Sequence, residues 1–422
     1  MDRYEQYKDS EVQWLGEIPA HWEVKRLGSY FNERRTKVSD KYYTPLSVTK
    51  NGIYPQLENV AKTNDGDNRK LVLKNDFVIN SRSDRKGSSG VSQYDGSVSL
   101  INIVLIPNIQ KISHYYCHYL FRSYSFIEEY YRNGRGIVAD LWTTRYEEMK
   151  MIKIAIPSYS EQEAIAAYLD AKVRKIDEAI KQQQKMIELL NERRQIIISE
   201  AVTKGLNPDV KMKDSGIDWM GAIPAHWEII SLKRACTIKT GKTPSSNSTK
   251  YWDGGKVNWF TPGDFKDFKL TDSERKVTRT AIRENACFEY PACSVYLIGI
   301  GGTIGKISYS EHSASCNQQI NVLIPKRNVH YKYIAYVMTI CRPEVMRNAN
   351  MSTLPIINQE KTGGIMITLP PFLEQKAISQ QIEVKCASIQ EKINQANTEI
   401  TLLTERKRII INDVVTGKVK VS

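Results

Sequence analysis

Two stretches of the chain, 160–205 and 373–418, carry apolar residues spaced alternately by four and by three. In the first they are Leu169, Val173, Ile176 and Ile180, then Ile187, Leu190, Ile197 and Ala201. In the second they are Ile382, Cys386, Ile389, Ile393, Ala396, Ile400, Leu403, Ile410 and Val414. A sustained 3.5-residue period predicts a long helix with a narrow apolar seam, as in a coiled coil. The stretches align without a gap. Gln162 falls on Gln375, an offset of 375 − 162 = 213, and the same offset carries Ile165 to Ile378, Leu190 to Leu403 and Ile197 to Ile410. Gln183 interrupts the first seam, and Arg194 and Lys407 interrupt both at one matched position. Polar seam residues of this kind set register and partner choice. A narrow seam needs a second helix to cover it, and the obvious one is the other copy.

The duplication extends beyond the helices. DSEVQWLGEIPAHWEVKRLGSYF near the N-terminus matches DSGIDWMGAIPAHWEIISLKRAC after the first helix, so that Trp22 pairs with Trp227 at an offset of 205. Each copy is therefore a globular segment (21–157, 226–370) followed by a long helix, and the second globule is about eight residues longer (213 − 205). Both globules contain short β-like runs, KLVLKNDFVIN and VSLINIVLIP in the first, ACSVYLIGI and QQINVLIP in the second. Both continue into an aromatic helix, from His114 and from His330, and return through a strand ending in proline, MIKIAIP and IMITLP. The intervening loops share nothing. The first globule has TKNG (49–52) and SRSDRKGSSG (81–90); the second has TGKTPSSNSTKYWDGG (240–255), WFTPGDF (259–265) and GIGGTIGK (299–306). A common scaffold with divergent Gly/Ser/Asn-rich loops suits recognition of two different targets.

Charge sharpens this picture. The chain of 422 residues carries a formal net charge of +13. Segment 160–204 holds eight acidic and eight basic residues and segment 374–417 six of each, so the excess lies in the globules. Basic globules on neutral helices point to a polyanion, most simply nucleic acid. The seven cysteines form no CxxC pair, and His114, Cys117 and His118 read as packing in an aromatic helix rather than as metal ligands. With no secretory signal and no bilayer-spanning apolar run, the expected compartment is the reducing cytoplasm.

Motifs for catalysis fail on inspection. GIGGTIGK has Ile300 and Ile307 where a phosphate-binding loop needs glycine and Ser/Thr, and a β-like run follows it instead of a helix. TGKT at 240–243 has Cys236 in place of its upstream glycine. No Asn/Asp-Pro-Pro-aromatic segment is present, Asp264 and Lys266 form a lone DxK, and His21 and His226 of IPAHWE have neither nucleophile nor second base beside them. The expectation is a non-catalytic chain whose IPAHWE segments pack the start of each globule.

The arrangement resembles the specificity subunit of type I restriction–modification enzymes over nearly the whole chain. The resemblance rests on the twofold layout and on the helix starts Pro157, Glu161, Gln162, Ile165 and Pro370, Glu374, Gln375, Ile378. It rests also on the helix ends LLNERRQIIISEAVTKG and LLTERKRIIINDVVTGK, and on the GKTP and GTIGK loops of the second globule. The first globule has no GxTP loop. The resemblance implies an α+β fold: two mixed α/β target-recognition domains separated by two long antiparallel coiled-coil helices, with a pseudo-twofold internal repeat. The corresponding segments are 1–157, 158–205, 206–370 and 371–422. It implies recognition of a bipartite, asymmetric double-stranded DNA target, and assembly with two methylation subunits and with restriction subunits. S-adenosylmethionine, ATP and Mg would serve adenine-N6 methylation and cleavage on those partners, with no cofactor or metal in this chain and no membrane partner.

Residues able to reach base edges from the loops are Lys50, Asn51, Ser81, Arg82, Arg85, Lys86 and Ser88 in the first globule. In the second they are Lys242, Thr243, Asn247, Thr261, Asp264, Gly301, Thr303, Lys306 and Gln318, with Gly301 chosen because glycine lets backbone approach DNA closely. Rival readings are a coiled-coil scaffold with two basic domains that bind nucleic acid without specificity, a subunit of a methyltransferase-only or related defence system, and a fused enzyme.

Overall fold

In the computed structural model the described residues are 3–56, 66–136, 142–351 and 354–421. They form two units, 1–184 with 397–422 and 185–396. The two long helices are Tyr159–Lys204 and Phe372–Val415, so each unit contains half of each helix.

The first unit is built on an antiparallel four-stranded sheet in the order Ser89–Val91, Phe77–Asn80, Asn102–Pro107, Phe31–Glu33. Its central strand Asn102–Pro107 is buried on both faces, which is why its sequence reads as a continuous apolar run rather than as an alternation. The second unit has the equivalent sheet in the order Ile307–Ser310, Ser294–Ile298, Ile320–Pro325, Cys236–Thr240. The register repeats as well: Val104 faces Val78 in one sheet and Val322 faces Tyr296 in the other, both at an offset of 218. A smaller three-stranded sheet accompanies each. In the second unit it includes the parallel pair Val257–Phe260 and Ser315–Cys316.

Each predicted aromatic helix is broken in two. In the first unit His114–Leu120 stops and Tyr124–Arg132 restarts, because the Ser123 hydroxyl accepts from the Phe126 amide and caps the new turn. In the second, Tyr331–Ile340 gives way to Arg342–Asn348, with Pro343 in the first turn, where its missing N–H costs nothing. A second departure lies at 81–90, expected as a loop. Its last residues form the edge strand Ser89–Val91, and Ser83–Arg85 make a short 3-10 turn.

The helix seam is as the periodicity predicts. Leu169, Ile176, Ala201, Ile382, Ile389, Ile393, Ala396, Ile410 and Val414 are buried, and the other seam positions are half-buried. In the first unit Ile165, Leu169 and Ile176 share one core with Ile410, Val414 and Val415. In the second, Ile198, Ala201 and Val202 share one with Ile378 and Ile382. The helix halves run antiparallel in each, and the two matched basic residues mark the register. Lys407 Nζ sits 2.7 Å from Asp177 in the first unit, and Arg194 donates to Gln390 Oε1 over 3.2 Å in the second. Since 177 + 213 = 390 and 194 + 213 = 407, these are the same contact made twice.

Candidate functional site

Each globule is locked to the start of the helix that follows it by two side chains. Glu161 receives the indole N–H of Trp22 (3.0 Å) on one carboxylate oxygen and His21 Nε2 (3.0 Å) on the other. Glu374 receives Trp227 (3.1 Å) and His226 (2.9 Å) in the same way. The IPAHWE histidines are thus structural partners of a carboxylate about 140 residues further along the chain. The indoles are fully buried, so the carboxylate spares each N–H the cost of lying unpaired away from water. The adjacent glutamines finish the joint. The Gln162 amide accepts from the Ser113 amide (2.8 Å) and donates to the carbonyls of Pro157 (3.1 Å) and Lys111 (3.3 Å). Gln375 does the same with His330, Pro370 and Asn328. In each unit one glutamine side chain thus satisfies backbone groups from two separate stretches of the chain.

With the scaffold fixed in this way, the second unit gathers most of its predicted loop residues at one end of its sheets. Gly241 opens the GKTP loop so close to its neighbours that a Cβ would lie 2.1 Å from the Asn317 carbonyl oxygen, which excludes any other residue. The Lys242 amide then bonds to Cys316 (3.0 Å), and the Thr243 hydroxyl bonds to the Gln318 side chain. GIGGTIGK is the turn of the hairpin Ser294–Ile298 and Ile307–Ser310, with Gly301 at φ +104° and Thr303 and Lys306 exposed. A loop between two strands offers no helix N-terminus for a phosphate. Gln318 and Gln319 line a cavity of about 440 Å³ beside this turn, with Thr240, Asn321 and Asn358. Asn247 is exposed.

Thr261 and Asp264 are bonded to one another. The Asp264 carboxylate accepts from the Thr261 amide (2.7 Å), the Thr261 hydroxyl (2.8 Å) and the Glu274 amide (2.9 Å), closing the turn Pro262–Asp264. These bonds hold the shape of the loop. The Lys242 ammonium is also engaged, on the Asn285 carbonyl at 2.5 Å and above the Phe288 ring.

In the first unit Lys50 and Asn51 form the tip of the hairpin Leu46–Thr49 and Gly52–Pro55, steadied by Arg122 donating to the Lys50 carbonyl (2.7 Å). Arg82 and Arg85 are exposed, and Lys86 pairs with Glu128 (2.6 Å). Ser81 and Ser88 are each only 5% exposed, because this stretch folds back as a hairpin rather than lying open. Arg82 borders a cleft of about 600 Å³ that also gathers Arg35, Lys37, Lys70 and Arg145. No motif or compositional signal marks these four. They come from strands and turns far apart in the chain, outside any Gly/Ser-rich stretch.

The remaining titratable groups do not suggest chemistry. Burial pushes the thiol of Cys236 up to about 12 and that of Cys316 upward as well, which keeps both in the unreactive protonated form. Hydrogen bonds from Lys269 and Tyr331 hold Glu311 down at about 2, as a fixed anion. Among the described residues no three His, Cys, Asp or Glu side chains group as a metal site, and no helix is long and apolar enough to cross a membrane.

Comparison with known proteins agrees with this geometry. The family described as "Type I restriction modification DNA specificity domain" matches twice, over residues 19–189 and 224–401. The type I restriction enzyme MjaVIII specificity subunit of Methanocaldococcus jannaschii is 25% identical, with 100% of this chain and 98% of that protein covered. The EcoDI specificity subunit of Escherichia coli is 21% identical over 92% of this chain and 87% of its own length. Among solved structures, a chain from a type I R-M system studied for complex assembly and conformational transition superposes with a TM-score of 0.72 at 15% identity, covering 94% of this chain and 98% of that one. The HsdS subunit from Thermoanaerobacter tengcongensis gives 0.52 at 16% identity over 95% and 98%.

Proposed function

Since the chain belongs to the family of type I restriction–modification specificity subunits, and is thus a sequence-specific DNA-recognition subunit, we propose that each of its two units reads one half of a bipartite, asymmetric DNA target. The observation that carries this reading is the contrast within the repeat. Two units share sheet order, register and helix anchors, yet present unrelated loops. In the first unit the candidate contacts are Lys50, Asn51, Arg82, Arg85 and Lys86. In the second they are Lys242, Thr243, Asn247, Gly301, Thr303, Lys306 and Gln318.

Specificity subunits of this family assemble with methylation and restriction subunits. Two methylation subunits are the stoichiometry we favour here. Leu189 and Ile196 in the second unit are 49% and 56% exposed, and their repeat partners Leu402 and Ile409 in the first are 56% and 48% exposed. Matched exposed apolar pairs suit two copies of one partner. Adenine-N6 methylation with S-adenosylmethionine, and cleavage with ATP and Mg, then belong to those subunits, in the cytoplasm. The test is methylome sequencing of a host expressing the chain with its methylation subunit. A two-part motif is expected, and exchanging residues 21–157 for another member's first globule should change one half of it alone. Methylation without sequence preference would favour the scaffold reading instead.

A further inference from the structure

Beside the GKTP loop of the second unit, three side chains outside the predicted set form one stack. Trp252 and Trp259 meet edge to face, with centroids 5.0 Å apart at 84°. The Arg275 guanidinium carbon lies 3.7 Å from the Trp252 ring centroid and 5.6 Å from that of Trp259. Both indole N–H groups are donated to the loop, Trp259 to the Lys242 carbonyl (3.1 Å) and Trp252 to the Ser245 carbonyl (2.9 Å). The rings that shape the loop therefore also carry the arginine.

The arginine is held ready without being used up. Its carbonyl accepts from the Trp259 amide (3.2 Å) and the Ser273 hydroxyl (2.6 Å), while its side chain is exposed. Three acids of this unit are engaged with other partners. Asp272 pairs with Lys276 (2.9 Å), Asp264 closes its own turn, and Glu284 accepts from Lys250 (2.7 Å) and Tyr251 (2.9 Å). Stacking uses the face of a guanidinium and leaves its rim of N–H donors available, and a planar fork fixed this way loses little entropy when it binds.

We infer that Arg275 is a specificity-determining residue of the second unit, presenting its two-pronged edge to the O6 and N7 of a guanine in that unit's half-site. Arginine matches this pair of acceptors bidentately, and a lysine ammonium does so only as a point charge. The inference rests on the DNA-recognition reading above and names one of its contacts.

The experiment selects from a randomised duplex library with the full chain assembled with its methylation subunits, comparing wild type, Arg275→Lys and Arg275→Ala. Preference for one guanine in one half-site should drop roughly tenfold or more in both variants, while the other half-site is retained. An unchanged motif, full rescue by lysine, or an equal loss for all sequences with a shallower salt dependence would each overturn base reading by Arg275. A wild-type protein that selects no motif would overturn the DNA-recognition reading itself, and this inference with it.

Discussion

The first and second units hold the starts of their long helices alike and present unrelated loops. At the helix starts they are nearly superimposable in chemistry: Trp and His on one carboxylate, and a glutamine bonded to two separate stretches of backbone. At the loops they share nothing beyond position. The hairpin after Phe77–Asn80 carries Arg82 and an ion-paired Lys86, whereas the hairpin after Ser294–Ile298 carries a glycine-rich turn and Lys306. A buried hydrogen-bond joint tolerates few substitutions, because any loss strands a polar group away from water. A solvent-facing turn has only to span its ends, so its side chains can be rewritten for a new target.

The joint offers the severest test of equivalence. Trp22→Ala and Trp227→Ala should each cost their own unit about 3–5 kcal/mol, measured by denaturant unfolding followed per unit by hydrogen exchange. Both indoles are fully buried and make the same contact, so a large inequality would show that the duplication is not energetic.

Acid should break the symmetry. His118 in the first unit is half-buried beside Arg122, and burial, with the charges of Arg122 and Lys407, lowers its pKa from 6.5 to about 4. Its counterpart in the second unit, aligned through Tyr116 and Tyr333, is Ala335, at 118 + 217. The unfolded chain binds this proton first, so stability is intact above pH 6.5 and falls as pH drops towards 4. The loss is of order 2 kcal/mol at about 1.36 kcal/mol per unit, reduced for partial solvent access. His118→Gln should flatten the acid dependence of the first unit between those pH values; an unchanged profile would remove His118 from the account.

Surface variants should sharpen the contrast between halves. Arg82→Ala and Lys306→Ala should each alter one half of the target by about 1–3 kcal/mol if they read bases. If they touch phosphate they should weaken all sequences evenly, with a flatter salt dependence. Binding titrations over a salt series distinguish these outcomes. Smallest of all, removing the exposed pair by Lys407→Ala or Asp177→Ala should cost under about 1 kcal/mol, and Arg194→Ala about as little. A double-mutant cycle at each matched position would measure whether the repeated contact is also repeated in energy.

By itself the sequence determined the elements that depend on local patterning. The 3.5-residue seam, the gap-free repeat and the buried Asn102–Pro107 and Ile320–Pro325 strands were legible, because periodic burial leaves its mark on every residue of an element. The anchors were visible as motifs, but nothing in the order of residues linked IPAHWE to Glu161 or Glu374. A hydrogen-bond partner about 140 residues away is set by how the sheet and helix close on one another. Loop chemistry was legible only as composition. Ser81 and Ser88 have the residue type of a DNA contact, yet their hairpin turns them inward, and Thr261 and Asp264 satisfy each other. Arg275 sits among charged residues in a stretch without glycine, and only the tertiary structure places its guanidinium on Trp252 beside the loop. Whether a polar side chain faces water or backbone depends on which strands pack behind it, and that is a non-local outcome of folding.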